Sequence, residues 1–287
     1  MTTALIVGSL HYDIMVEADH LPRRDETAVG SRWYPKFGGK GGNQAVALAR
    51  AGVPTRMAGA VGDDAFGRFL RDRLRVAGVD DRFVSTLAET GSGISVAILD
   101  RAGDYAATIV SGANLAIDPG RLTDPTLWQD VGLLVLQNEV PEAVNLAAAA
   151  AARHRGLPVI LNAAPFRPFP PGLLSQVTHL VVNAVEAEGL GTPPVTSLAT
   201  AEAAARQLAP LAPNVIVTAG AQGLAAAFGA ETVSVPAEKV QVVSSHGAGD
   251  AFIGTLAAAI LAGTPLPRAC EQAAHAAALH VSGRTLT

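Results

Sequence analysis

Ser244-Ser245-His246-Gly247-Ala248-Gly249-Asp250 lies between two valines, at 242 and 243, and the apolar run from Ala251 to Ala262. The valines close an extended segment and the run reads as a buried helix, so Gly247 to Asp250 form the turn at its N-terminus. The first amide N–H groups of a helix lack intrahelical partners and carry the positive end of its dipole, and glycines let an anion approach the backbone closely. Asp250 sits where negative charge is welcome. It is expected to be ionised at neutral pH, and a carboxylate beside a phosphate cradle can accept the proton of a hydroxyl attacking that phosphate. An acid at this position also serves plain helix capping. The stretch alone leaves both readings open.

Outward from it, one pattern recurs along the chain. Ala4 to Val7 is a brief apolar run stopped by Gly8, a buried parallel strand rather than a helix. Thr55 to Val61, Leu133 to Leu136, Val159 to Leu161, Leu180 to Val182 and Val215 to Val217 read as further strands, each followed by a polar turn. Helices are predicted over 45–51 and 65–77, and from Pro141 onward, proline being tolerated in a first turn. Strand, polar turn and helix in alternation predict an α/β fold: a doubly wound, mostly parallel sheet with helices on both faces. Ligands collect beyond the carboxyl ends of such strands, which marks Asp13 and Glu139. Asp13 reads equally as a turn aspartate.

Residues 14–37 break the pattern, because Pro22 and Pro35 interrupt them and Thr27 to Tyr34 looks extended. A second extended pair, Ile94 to Leu99 and Tyr105 to Val110, flanks the turn-rich Asp100-Arg101-Ala102-Gly103-Asp104. The two pairs predict a small antiparallel lid, with strands inserted at about 11–37 and 92–111 into one unit spanning 1–287. A lid keeps water from a phosphoryl donor.

Phe37-Gly38-Gly39-Lys40-Gly41-Gly42-Asn43-Gln44 sets four glycines around a lysine just before a helix. It matches neither a Walker A loop, since Gly41 follows Lys40, nor a dinucleotide fingerprint, since Gln44 replaces the third glycine. It is either a ligand-touching turn whose Lys40 and Asn43 donate hydrogen bonds, or a flexible loop. Asn183-Ala184-Val185-Glu186 reads as a capping box or as a pair that holds a metal-bound water. Thr218-Ala219-Gly220-Ala221-Gln222-Gly223 reads as a nucleotide-lining turn or merely a tight one.

Composition bounds the rest. The chain has 287 residues, 49% of them hydrophobic, and a formal charge of −4. A net acidic chain without a broad basic run argues against nucleic acid as a partner. Cys270, the lone cysteine, sits in an apolar helical run as a core residue of a reducing compartment. No basic leader and no run of about 18 apolar residues is present, so the expectation is a soluble cytoplasmic protein without membrane partners.

The ordered set of motifs resembles the ribokinase-like carbohydrate kinases, the superfamily that includes phosphofructokinase B, fructokinase and adenosine kinase. Gly38-Gly39-Lys40-Gly41-Gly42-Asn43-Gln44-Ala45 is similar to its N-terminal signature and Gly247-Ala248-Gly249-Asp250 to its C-terminal one. Gly62-Asp63-Asp64, Ser111-Gly112-Ala113-Asn114, Gln137-Asn138-Glu139, Asn183 to Glu186 and Thr218 to Gly223 correspond in the same order. The resemblance implies ATP-dependent phosphorylation of a primary hydroxyl of a small sugar, ribose or a related pentose or hexose. Other acceptors remain open: another polyol, a nucleoside or a sugar acid, or a member that binds ligand without turnover.

It implies Asp250 as base, with the N–H groups of Gly247, Ala248, Gly249 and Asp250 as anion hole. Glu186 and Asn183 would organise magnesium and the triphosphate, and Thr218, Gly220 and Gly223 would line ATP. Asp13, Gly39, Lys40, Asn43 and Glu139 would hold the sugar, with His11 where an asparagine is usual. The lid implies a homodimer interface. Two departures concern a monovalent cation: Ser244-Ser245 replaces the usual Asp-Thr, and the chain ends at Thr287, short of the usual closing segment. Cation activation is therefore expected to be weak.

Overall fold

The computed structural model describes residues 2–102 and 105–284. Chain order runs β1 (Thr3–Val7), β2 (His11–Ala18), β3 (Gly30–Gly38), α1 (Lys40–Arg50), β4 (Thr55–Gly62), α2 (Ala65–Val76), β5 (Val79–Leu87), β6 (Ile94–Leu99) and β7 (Tyr105–Val110). It continues through β8 (Val131–Gln137), α3 (Glu142–His154), β9 (Val159–Asn162), β10 (His179–Asn183), α4 (Ala184–Gly189) and α5 (Leu198–Leu208). Last come β11 (Asn214–Thr218), β12 (Leu224–Phe228), β13 (Glu231–Val235), α6 (Ala248–Leu261) and α7 (Leu266–Val281).

Nine strands form the main sheet in the order β13-β12-β11-β10-β9-β8-β1-β4-β5. From β11 to β5 every neighbouring pair is parallel, and β12 and β13 add an antiparallel edge. The parallel strands are short, apolar and buried on both faces, as β1 illustrates. Leu5 and Val7 enter one hydrophobic cluster with α3 and α5, whereas Ala4 and Ile6 enter the other with α1, α2, α6 and α7. Alternation at the strand period thus feeds two cores. Each fully buried leucine or isoleucine in them contributes about 1.5–3 kcal/mol. Among the described residues no helix is long and apolar enough to cross a membrane.

The second sheet has four strands, in the order β3-β2-β6-β7. Its central pair, β2 and β6, is parallel, which corrects the expectation of an antiparallel lid. The reason is topological: β2 and β6 both leave main-sheet strands in the same direction, and each carries its own hairpin partner, β3 or β7. Gly103 and Asp104, in the expected turn between β6 and β7, lie outside the described residues. Asn114 fastens this sheet to the large one. Its Oδ1 accepts the Leu10 N–H at 2.9 Å, and its Nδ2 donates to the Leu10 and Ser111 carbonyls at 2.8 and 2.9 Å.

Element boundaries also differ from the expectation. Helix α1 begins at Lys40 rather than Ala45, so Gly41 and Gly42 are helical. A Cβ on Gly41 would lie 2.6 Å from the Ser9 nitrogen, and one on Gly42 would meet Phe37 and Leu10 at 2.7 and 2.8 Å. The glycines serve close packing of the helix start against the β1–β2 connection. Val242 and Val243 are exposed and belong to no strand. The Val243 and Ser244 N–H groups donate to the Val281 carbonyl, at 2.7 and 3.2 Å, so the end of α7 holds this segment instead of the sheet.

Candidate active site

Gly247 is the N-cap of α6, with φ at 81°, a left-handed conformation that favours glycine. Ala248, Gly249 and Asp250 form the first turn, since the helix starts three residues earlier than the sequence reading placed it. The Ala248 N–H donates to Ser245 O at 3.3 Å. Among the described residues no acceptor takes the N–H groups of Gly249 and Asp250, which leaves two helix-end donors for an anion. Asp250 does not cap the helix. Its Oδ1 accepts the Gln44 Nε2–H at 3.0 Å and its Oδ2 accepts from Asn43 Nδ2 at 3.2 Å, both from α1. Burial pushes its pKa up, against the favourable charge of Lys40 and the two amide donors, while Glu139 adds to the rise. Desolvation thus opposes the ready ionisation expected of an acid at a helix end.

A cavity of about 240 Å³ opens in front of Asp250. Its lining includes Lys40, Asn162, Asn183, Glu186, Thr218, Ser245, Gly247 and Gly249, supplied by α1, three strand ends and the α6 turn. Asn183 and Glu186 form a capping box: the Asn183 N–H and Nδ2 donate to the two Glu186 carboxylate oxygens at 2.8 and 3.0 Å, and the Glu186 N–H donates to Asn183 Oδ1 at 2.9 Å. The capping-box reading of that stretch holds, and the box stands at a helix start on the cavity wall. Burial raises the Glu186 pKa, opposed by the Asn183 N–H and the charge of Lys40. Thr218 lines the cavity, but Gly220 and Gly223 do not. They shape the turn after β11, where φ is 54° and 107° and the Ala219 N–H donates to Gly223 O at 2.7 Å.

Across Asp250 lies a second polar group at the foot of the small sheet. Glu139 Oε2 accepts from Ser9 Oγ at 2.5 Å and from the Lys40 N–H at 2.8 Å, capping α1 from outside, and lies 3.9 Å from His11 Nδ1. His11 is buried and its Nε2 has no partner among the described residues. Asp13, on β2, accepts from Ser95 Oγ on β6 at 2.5 Å. Burial raises its pKa, while that hydrogen bond and the nearby His11, His246 and Lys36 oppose the rise. At Gly38 an added Cβ would stand 2.1 Å from Asp13 Oδ2, and at Gly39, where φ is 85°, one would meet the backbone of Leu10 and His11 at 2.8 Å. Sequence reasoning missed Ser9, Gln44, Ser95, Asn162 and His246. Gln44 alone left a signal, as a glutamine on the otherwise small and apolar buried face of α1.

Residues 1–286 match the pfkB family carbohydrate kinase model. A ribokinase of Bacillus subtilis (strain 168) is 33% identical, the match covering 98% of this chain and 93% of its own length. A deoxyribokinase of Salmonella typhi is 31% identical over 97% of this chain and 92% of its own. The structure of Arabidopsis thaliana ribokinase complexed with ribose and ATP is similar at a TM-score of 0.90 and 30% identity, covering 98% of this chain and 93% of that one. With the fold, the buried carboxylate at a helix start and these matches in agreement, the chain belongs to the pfkB family of carbohydrate kinases and is an ATP-dependent sugar kinase.

Proposed function

We propose that this enzyme transfers the γ-phosphoryl group of ATP to a primary hydroxyl of ribose or a closely related small sugar, with Asp250 as base. One observation carries the reading: a buried carboxylate, held by two amides, stands in the same helix turn as two unpaired N–H groups and opens onto a cavity. As the sugar oxygen bonds to the γ-phosphorus, its proton passes to Asp250 Oδ2. The bond from that phosphorus to the bridging oxygen breaks, and ADP leaves with the electron pair. The N–H groups of Gly249 and Asp250 face the charge that develops, the contribution a loose phosphoryl-transfer transition state asks for.

Asp13, Glu139, Asn43, Lys40 and Gly39 are the sugar-side residues in this reading, with His11 beside them. The nucleotide lies along Asn183 and Thr218. Gly220 and Gly223 act on it only by shaping the turn after Thr218. Magnesium fits the donor set, because Glu186 and Asn183 offer oxygens on the cavity wall. Among the described residues no cluster of three His, Cys, Asp or Glu could cage an ion, which suits a cation held mainly through waters and phosphates. When bound it would neutralise phosphate charge. A cytoplasmic location accords with the lone, buried Cys270 and is open to cell fractionation. The kinase reading is tested by ADP release over a panel of pentoses, hexoses, polyols and nucleosides. Ribose or a near relative is expected to give the highest kcat/KM, and a nucleoside preferred above all sugars overturns it.

A further inference from the structure

We propose that Gln44 is a positioning residue for phosphoryl transfer: its amide fixes Oδ1 of Asp250 and leaves Oδ2 turned toward the acceptor hydroxyl. Gln44 is fully buried on α1, its Nε2 lies 3.0 Å from Asp250 Oδ1, and its Oε1 has no partner among the described residues. A buried amide with one orphaned oxygen costs stability where an apolar side chain would pack without cost, so the glutamine has to be explained by the bond it makes. Only the orientation with the NH2 group toward the carboxylate is attractive, because the flipped amide would set oxygen against oxygen.

The two helices are built for this reach. Gly254 lies one turn after Asp250 on α6, and a Cβ there would stand 2.4 Å from the Ala47 Cβ and 2.9 Å from the Leu48 nitrogen. That close approach brings Gln44, one turn before Leu48, onto the base. Asn43 holds the other oxygen by the longer and less buried bond, at 3.2 Å, and stands on the sugar side. An acceptor hydroxyl can take its place at Oδ2 while Gln44 keeps the carboxylate from turning. The amide also favours the ionised carboxylate, against the desolvation that raises the Asp250 pKa. The charged groups around Asp250 are Lys40 at the start of α1, Glu139 after β8 and Glu186 on the cavity wall.

The inference rests on the base role proposed for Asp250, and its test separates the two. Against a parent shown to release ADP with sugar, Gln44→Met keeps volume and removes the donor. The expected result is kcat lowered about tenfold or more, the scale of one charge-assisted hydrogen bond. Sugar KM should stay within about twofold, and the acid limb of kcat should move to higher pH by roughly one unit. Gln44→Glu, which sets a second carboxylate beside the base, should move the limb further. The folded Met variant with parental kcat and limb overturns the proposal. NMR of the parent gives a readout that needs no Gln44 variant and no turnover. The Gln44 side-chain amide resonances should titrate with the kcat limb and stop titrating in Asp250→Asn, and resonances flat with pH overturn the proposal as well.

Discussion

Asp250 is pulled in two directions. The helix end, Lys40 and two amides favour its charge, while burial among α1 and α6 side chains disfavours it and prevails in sign. A base acts when ionised, so kcat should fall as pH drops through a limb lying above the ordinary carboxylate value, by about tenfold per unit below it. Because the folded state binds this proton more tightly than the unfolded chain, the same group lowers stability as pH rises from the unfolded pKa through the folded one. A pH profile of kcat with its limb at or below the free carboxylate value would show that burial does not set the protonation of the base. Asp13 and Glu139 stand out in the sequence as acids after predicted strands, and Asp250 as an acid at a predicted helix start. Ser95 and His246 carry no such signal, since each acquires its meaning from a contact between elements far apart in the chain, and Gln44 shows only as a glutamine on a buried helix face.

At the scale of elements, the segment before α6 shows why local pattern fell short. Val242 and Val243 look like strand residues, yet residues 236–247 contain no helix or strand, and the end of α7 accepts the N–H groups of Val243 and Ser244. His280 Nε2 also lies 2.9 Å from the His246 carbonyl, so the ring donates there and fastens the peptide that precedes Gly247. The same segment bears on the cation. Ser244 brings a neutral hydroxyl, which accepts the His246 N–H at 3.3 Å and adds no negative charge for a monovalent ion. Replacing potassium by sodium or tetramethylammonium at constant ionic strength should change turnover by less than about threefold. Strong, saturable potassium activation would mean that backbone carbonyls alone build a cation site. Six of the nine main-sheet strands and α2 match their predicted ranges within one or two residues because strand and cap signals there are local, as with Asp64, whose Oδ1 accepts the Gly67 N–H at 2.6 Å, whereas β5, β12 and β13 at the two sheet edges were not predicted. The start of α1 was misplaced because glycines that permit helix packing look, in sequence, like glycines that make a loop.

At the scale of the molecule, two sheets of different build flank the candidate site. The nine-stranded sheet carries the cavity and α6, the four-stranded sheet carries Asp13, and Asn114 holds them in register. The small sheet leaves apolar side chains exposed on both faces, Trp33 at 63% and Val110 at 54% on one and Ile109 at 57% on the face that carries Asp13 and Ser95. Apolar side chains gathered on one small sheet favour pairing with a second copy. Sedimentation velocity should therefore find a dimer that Trp33→Glu shifts toward monomer, and a parent that is monomeric at every concentration would remove the lid from that role. The central claim is that Asp250 takes the proton of the sugar hydroxyl. The most direct measurement is ADP release by Asp250→Asn with the best sugar, alongside ATP binding by calorimetry. Turnover about a hundredfold or more below the parent, with folding and ATP affinity retained, is the predicted result. An Asp250→Asn enzyme that turns over at the parental rate would contradict it.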